Sequence, residues 1–151
     1  MSKLSEILKT SKSMPIEKEV VLNLFCTNNF VSEKFEFFFK SHDLTGAQYN
    51  VLRILRGQEG VPANLSTIQE RMVHKNSNAG RLIDKLIVKG LVKRNICENN
   101  RRKIEVTITS EGLDKLAFVD PYVQQLEEEL IHGLTEEELI LLNKLLEKLR
   151  E

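Results

Sequence analysis

Residues 65–108 read LSTIQERMVHKNSNAGRLIDKLIVKGLVKRNICENNRRKIEVTI, and within this stretch the apolar period changes once. Ala79, Leu82, Ile83, Leu86 and Ile87 fall at helical spacing on one face of a segment spanning 77–89, with Gly90 placed to terminate it. Ahead of it, Ser66-Thr67-Ile68-Gln69 has the form of a capping box that opens a short helix through Val73. His74-Lys75-Asn76 is then the turn between the two helices, with Asn76 as the cap of the second. Beyond Gly90 the period becomes two: Val92 and Ile96, then Ile104, Val106 and Ile108, alternate with polar residues. Segments 92–97 and 104–108 are therefore expected to pair as a hairpin with the charged tip Glu98 to Lys103.

Two short helices joined by a turn make a helix-turn-helix, and a hairpin after it makes a winged helix. The charges agree with this assignment. The whole chain of 151 residues carries 22 basic and 22 acidic side chains, a net charge of zero that would argue against a polyanionic partner. The charges are segregated, however. Residues 71–103 hold ten basic side chains against only Asp84 and Glu98, while residues 120–151 hold nine acidic against three basic. A basic middle and an acidic tail within one domain point to a localised polyanion-binding face. On the polar side of segment 77–89, Ser77, Asn78, Arg81 and Lys85 lie together. Asn can bond adenine and Arg can bond guanine through two hydrogen bonds, so Asn78 and Arg81 are candidates for base contact in the major groove. Ser77, Asn76, Lys75 and Lys85 suit phosphates. At the hairpin tip, Arg101, Arg102 and Lys103 suit a narrow minor groove.

Outward from this centre the chain is helical. Pro15 stands where a helix can begin, and residues 16–39 carry Val20, Leu24, Val31, Phe35, Phe38 and Phe39 at helical steps, with Val21 and Phe25 widening the stripe. Six of the seven Phe residues fall on this helix, more aromatic surface than one neighbour can cover. A core combined with a subunit interface would account for them, and so would a small-molecule pocket lined by Phe25, Phe38 and Tyr49. Thr45 and Gln48 form a capping box for a helix bearing Tyr49, Leu52 and Leu55 and ending at Gly57. After the hairpin, Thr109 or Ser110 can cap a helix to about His132, which Pro121 must kink or restart with Asp120 as a new cap. Thr135 to Glu138 is a further capping box, followed by the stripe Leu139, Leu142, Leu145, Leu146 and Leu149. That stripe has no partner in a small winged-helix core, so a homodimer is expected.

The expected fold class is thus mainly α with a small β-hairpin: a winged helix-turn-helix (44–108) between long terminal dimerisation helices (16–41 and 110–151). The chain is long enough for one core without disulfide or metal support. It has no apolar run near the length of a membrane span, and the mixed segment 1–14 has no apolar core of a secretion signal, which predicts a cytoplasmic protein. Cys26 and Cys97 are not expected to pair, and Cys26 beside the Phe cluster reads as a buried, inert thiol. His42, His74 and His132 are too scattered for a metal site, so neither metal nor other cofactor is expected. The sequence has no phosphate-cradling glycine loop, nucleophile elbow or HExxH, and the runs Glu127 to Glu129 and Glu136 to Glu138 point around a helix rather than into one site. No enzyme is expected.

In combination, Leu44-Thr45 with Gln48-Tyr49, segments 65–78 and 82–86, Gly90-Leu91-Val92-Lys93-Arg94, Arg101-Arg102 and V-T-I-T-S-E-G at 106–112 resemble the MarR-type transcriptional regulators. The likeness spans roughly residues 20–149. It implies a homodimer that binds double-stranded DNA at a palindromic operator, with one recognition helix per half-site and each wing in the flanking minor groove. It further implies release of DNA by a small phenolic or lipophilic effector or by cysteine oxidation. One position departs from the family pattern: Asn100 stands where an Asp usually precedes the wing arginines, so it can offer Arg101 or Arg102 only a neutral hydrogen bond. Arg94 matches the family's strand arginine, with a supporting or phosphate role. The competing reading is a protein-interaction winged helix that has lost DNA binding and works through its acidic, leucine-rich tail.

Overall fold

The computed structural model describes residues 3–96 and 104–151. A short helix α1 (Lys3–Ile7) precedes the long α2 (Ile16–Ser41). The polar leader gave no sign of α1, whose Leu4 is buried. Helix α3 (Gly46–Arg56) starts as the sequence predicts: Thr45 Oγ1 accepts the Gln48 N–H, and the Gln48 side chain accepts the Thr45 N–H. These reciprocal bonds also satisfy the Oε1 and the backbone N–H of Gln48, which is almost fully buried.

The next elements shift from expectation. Helix α4 (Leu65–Arg71) is capped by Asn64, whose Oδ1 accepts the Thr67 N–H, and not by the Ser66 box. Ser66 Oγ instead donates to Asn64 Oδ1, and Gln69 turns away from the helix start. Helix α5 (Ala79–Val88) begins later than expected. Its cap is Asn78, which accepts the Arg81 N–H at 3.0 Å, so Asn76 is no cap and Ser77 lies outside the helix. Seven residues, 72–78, therefore separate the two helices. Lys89 is the C-cap of α5, and the following Gly90 takes φ +72°, a left-handed turn that suits glycine.

Strands β2 (Val92–Ile96) and β3 (Ile104–Ile108) form the expected antiparallel ladder, with Val92 opposite Ile108. A two-residue strand β1 (Ala63–Asn64), too short to leave a periodic signal, pairs with β3 and completes a sheet of order β1-β3-β2. Val51, Leu52, Ile68, Ile83, Leu86 and Val106 are sealed from solvent, joining α3, α4, α5 and the sheet in one core.

Thr109 caps helix α6 (Ser110–Ile131) by accepting the Gly112 N–H. Gly112 packs so tightly against the Leu91 carbonyl that a Cβ would sit 2.2 Å from its oxygen. Pro121 lies inside α6 without restarting it, and Asp120 is no cap. The buried stripe Leu116, Val119 and Val123 runs through the proline, so packing on both sides outweighs the single lost backbone bond. Helix α7 (Glu136–Lys148) opens with the expected Thr135–Glu138 capping box, and none of its residues is buried. Among the described residues no helix is long and apolar enough to cross a membrane.

Candidate nucleic-acid interface

Helix α5 divides by chemistry. Its inner face sets Ala79, Ile83 and Leu86 into the core, with Leu82 and Ile87 packed at the margin. Its outer face and the turn before it carry Lys75, Asn76, Asn78, Arg81 and Lys85, all exposed, with Ser77 half-buried. Three other basic residues of the molecule are held by carboxylates: Arg56 by Asp120, Lys89 by Asp43, and Arg94 by Asp84. Among the described residues, Lys75, Arg81 and Lys85 have no such partner. Lys75, whose ammonium also donates to the Glu70 carbonyl, and Arg81 thus stand without a carboxylate where α5 begins, at the positive end of its dipole, which favours phosphate oxygens, and Lys85 follows in its last turn. Arg94 reaches back from β2 to Asp84 on α5 at 2.5 Å. Arg101, Arg102 and Lys103, with Asn100 and Cys97, lie outside the described residues.

The segment between α4 and α5 is held by two amides that periodicity does not reveal. Gln69 donates from Nε2 to the Lys75 carbonyl and accepts the Ala79 N–H at its Oε1, at 3.2 Å. Asn50, on α3, accepts the Val73 N–H at 2.9 Å.

A groove of about 790 Å³ opens between α2, α3 and α6, within the size range of small-molecule sites. Of the three residues expected there, only Tyr49 lines it. Phe25 is 63% exposed and lies 14 residues from Phe39, roughly 21 Å along the helix at ~1.5 Å per residue. Phe38 is rotated off the groove and packs on His42, whose ring also meets Phe118 and Tyr122. The aromatic wall is instead Phe35 and Phe39, one turn apart, with Tyr49 4.8 Å from Phe39 between ring centroids. Arg53, Lys40 and His74 supply cationic or polar edges, and Glu36 and Glu127 supply acidic ones.

Tyr49 also ties the groove to α6. Its hydroxyl donates to Asp120 at 2.7 Å, and Arg56 grips the other carboxylate oxygen. Burial and this hydrogen bond push the Tyr49 pKa up to about 12. Burial alone would raise the Asp120 pKa, but the hydrogen bonds from Arg56 and Tyr49 and the Arg56 charge outweigh it and hold the carboxyl below its ordinary value. Cys26 is half-buried and unpaired, more accessible than expected of a core thiol. Among the described residues no group of three His, Cys, Asp or Glu could hold a metal ion.

Comparison with known proteins agrees with the geometry. The MarR family model matches residues 44–104, which run from the start of α3 through β2 to the first residue of β3. The MarR transcription factor from Planctomyces limnophilus is 32% identical, with 91% of this chain and 98% of that one covered and a TM-score of 0.71. Over 103 residues, the HTH-type transcriptional regulator SarZ of Staphylococcus haemolyticus is 24% identical, covering 68% of this chain and 69% of its own. The solved structure of Bordetella bronchiseptica BpsR, whose DNA binding is regulated by 6-hydroxynicotinic acid, is 23% identical with a TM-score of 0.74, covering 88% of this chain and 99% of that one. On its helix-turn-helix, its sheet and this likeness along nearly its whole length, the chain belongs to the MarR family of DNA-binding transcription regulators.

Proposed function

We propose that the protein is a homodimeric, ligand-responsive repressor that sets the N-terminal part of α5 into the major groove of each half of a palindromic operator. The observation that carries this reading is that Lys75, Arg81 and Lys85, at the exposed start and outer face of α5, have no carboxylate partner among the described residues. Lys75, Asn76, Ser77, Asn78, Arg81 and Lys85 form the groove-facing set, and Arg101, Arg102 and Lys103 of the wing meet the flanking minor groove. Within this set Arg81 is the principal base reader. Asn78 already uses its Oδ1 as the cap of α5, so a two-bond contact to adenine would compete with the Arg81 N–H.

Residues 16–41 and 110–151 supply the dimerisation part, and 44–108 the DNA-binding part. The support is the apolar surface left on the terminal helices: Val20, Val21, Phe25 and Phe30 on α2, and Ile140, Leu142 and Leu145 on α7, are exposed in one subunit. The groove at Phe35, Phe39 and Tyr49 takes a small aromatic or lipophilic effector. The protein acts by binding alone, without catalysis, and works in the cytoplasm beside the chromosome.

Selection of duplexes from a randomised pool, followed by titration, tests the DNA reading. Arg81→Ala should cost about 1–3 kcal/mol on the selected site and relax its base preference, while Arg102→Ala should weaken all duplexes alike with a shallower salt slope. An Arg81→Ala variant with unchanged selectivity would remove Arg81 from the reading set.

A further inference from the structure

We infer that Gln69, seconded by Asn50, is a positioning residue for base selection: the two amides set the approach of α5 to DNA without touching it. The inference rests on the assignment of α5 as the reading helix. The seven residues from Met72 to Asn78 are longer than the turn of about three or four residues usual in a helix-turn-helix, and a longer connection leaves the second helix freer to shift.

Local bonds restrain this segment little. Within it the backbone makes one hydrogen bond, from the Ser77 N–H to the His74 carbonyl at 3.1 Å, and the Met72 N–H bonds back into α4. Met72 is buried in the core and Lys75 Nζ donates to the Glu70 carbonyl of α4, and the backbone between them and α5 is tied by the pair of amides. Gln69 fastens both ends of the second half of the connection, donating to the Lys75 carbonyl and accepting the Ala79 N–H, one of the donors that a helix start leaves unpaired. Asn50 fastens the first half to α3 through the Val73 N–H. The N-terminus of α5 is thereby referenced to α4 and α3, which belong to the rigid core.

Base reading is sensitive to such placement because a two-bond contact needs both atoms within hydrogen-bond reach at once, whereas a phosphate contact tolerates a shift. Loss of the clasp should therefore erode selectivity and spare general affinity. A residue that merely stabilised the fold would lower both together.

The test uses the full chain and a duplex selected by the wild type from a randomised pool, with an unselected duplex of equal length as reference. Gln69→Met keeps the side-chain volume and removes both hydrogen bonds. We expect the selected-to-unselected affinity ratio to fall about tenfold, with unselected affinity and salt slope within about twofold of the wild type. Asn50→Ala should lower the ratio about threefold, and Asn50→Asp, which keeps the acceptor for Val73, should restore it. A folded Gln69→Met that keeps the wild-type ratio overturns the inference, as does an equal fall on both duplexes. If Gln69→Met does not fold, the Asn50 pair decides, and wild-type ratios in both members overturn it. A wild type that selects no sequence refutes the α5 assignment itself and the inference with it, whereas selection by the wild type and by Gln69→Met alike refutes the inference alone.

Discussion

The winged-helix part and the terminal helices use the same apolar periodicity and reach opposite outcomes. In α3 and α5 the stripe is absorbed within the chain, and Leu52, Ile83 and Leu86 have no exposed surface. In α7 and its C-cap the stripe of Leu142, Leu145 and Leu149 stays at 44%, 54% and 61% exposure, with the capping box fully formed. A cap and a stripe suffice to make a helix, but only a facing surface decides whether the stripe stabilises a core. The first region is complete in one chain, whereas the second needs another surface.

The sharpest contrast comes from truncating the two stripes. Leu86→Ala should lose about 3 kcal/mol in urea unfolding at every protein concentration, since it opens a cavity in a closed core. Next is Gly112→Ala, which forces a methyl into the Leu91 carbonyl and should cost about 2 kcal/mol in the same measurement, with the wing sheet and α6 loosened together. Leu142→Glu combined with Leu145→Glu should leave a dilute monomer folded and abolish the concentration dependence of Tm, read by calorimetry alongside sedimentation. An unchanged concentration dependence would break the comparison by showing that the α7 stripe is not covered by a second subunit.

The smallest effect is expected at the contact joining the two regions. Asp120→Asn should cost less than about 1 kcal/mol at neutral pH, because the site is partly open to solvent. The pH dependence has a definite sign. The Asp120 pKa is lowered on folding, so its stabilisation is present above the ordinary value of 3.8 and disappears as pH falls through the depressed folded value. Tyr49 is raised from 10.0 to about 12, so its contribution is present below 10.0 and is lost as pH climbs toward 12. The gap between wild type and Asp120→Asn should close at both extremes. A gap independent of pH would show that the contact does not link folding to protonation.

Local chemistry was legible in the sequence at two of the three capping boxes, where the partners are three residues apart. Thr45 with Gln48 and Thr135 with Glu138 form the bonds their spacing predicts. The same spacing misled at Ser66 and Gln69, because Asn64 took the cap and the Gln69 amide was drawn to a connection up to ten residues away. Contacts such as Tyr49 with Asp120, 71 residues apart, leave no local trace. The abundance of Phe on α2 announced an aromatic surface, but the helical rotation that turns Phe35 and Phe39 to the groove and Phe38 to His42 depends on where α3 and α6 lie.

The fit of Gly112 against Leu91 anchors α6 at its start. Its first turns are welded to the wing sheet, with Thr109 bonded to both Gly90 and Leu91, and must move as one body with the DNA-binding part. Pro121 withdraws the donor that the Ala117 carbonyl would otherwise meet, just where Asp120 holds α3. Tyr49 and Arg56 grip the carboxylate one residue before that gap, so α3 and the turns of α6 up to Asp120 form one bonded unit, and the helix beyond the proline continues from it with one backbone bond fewer.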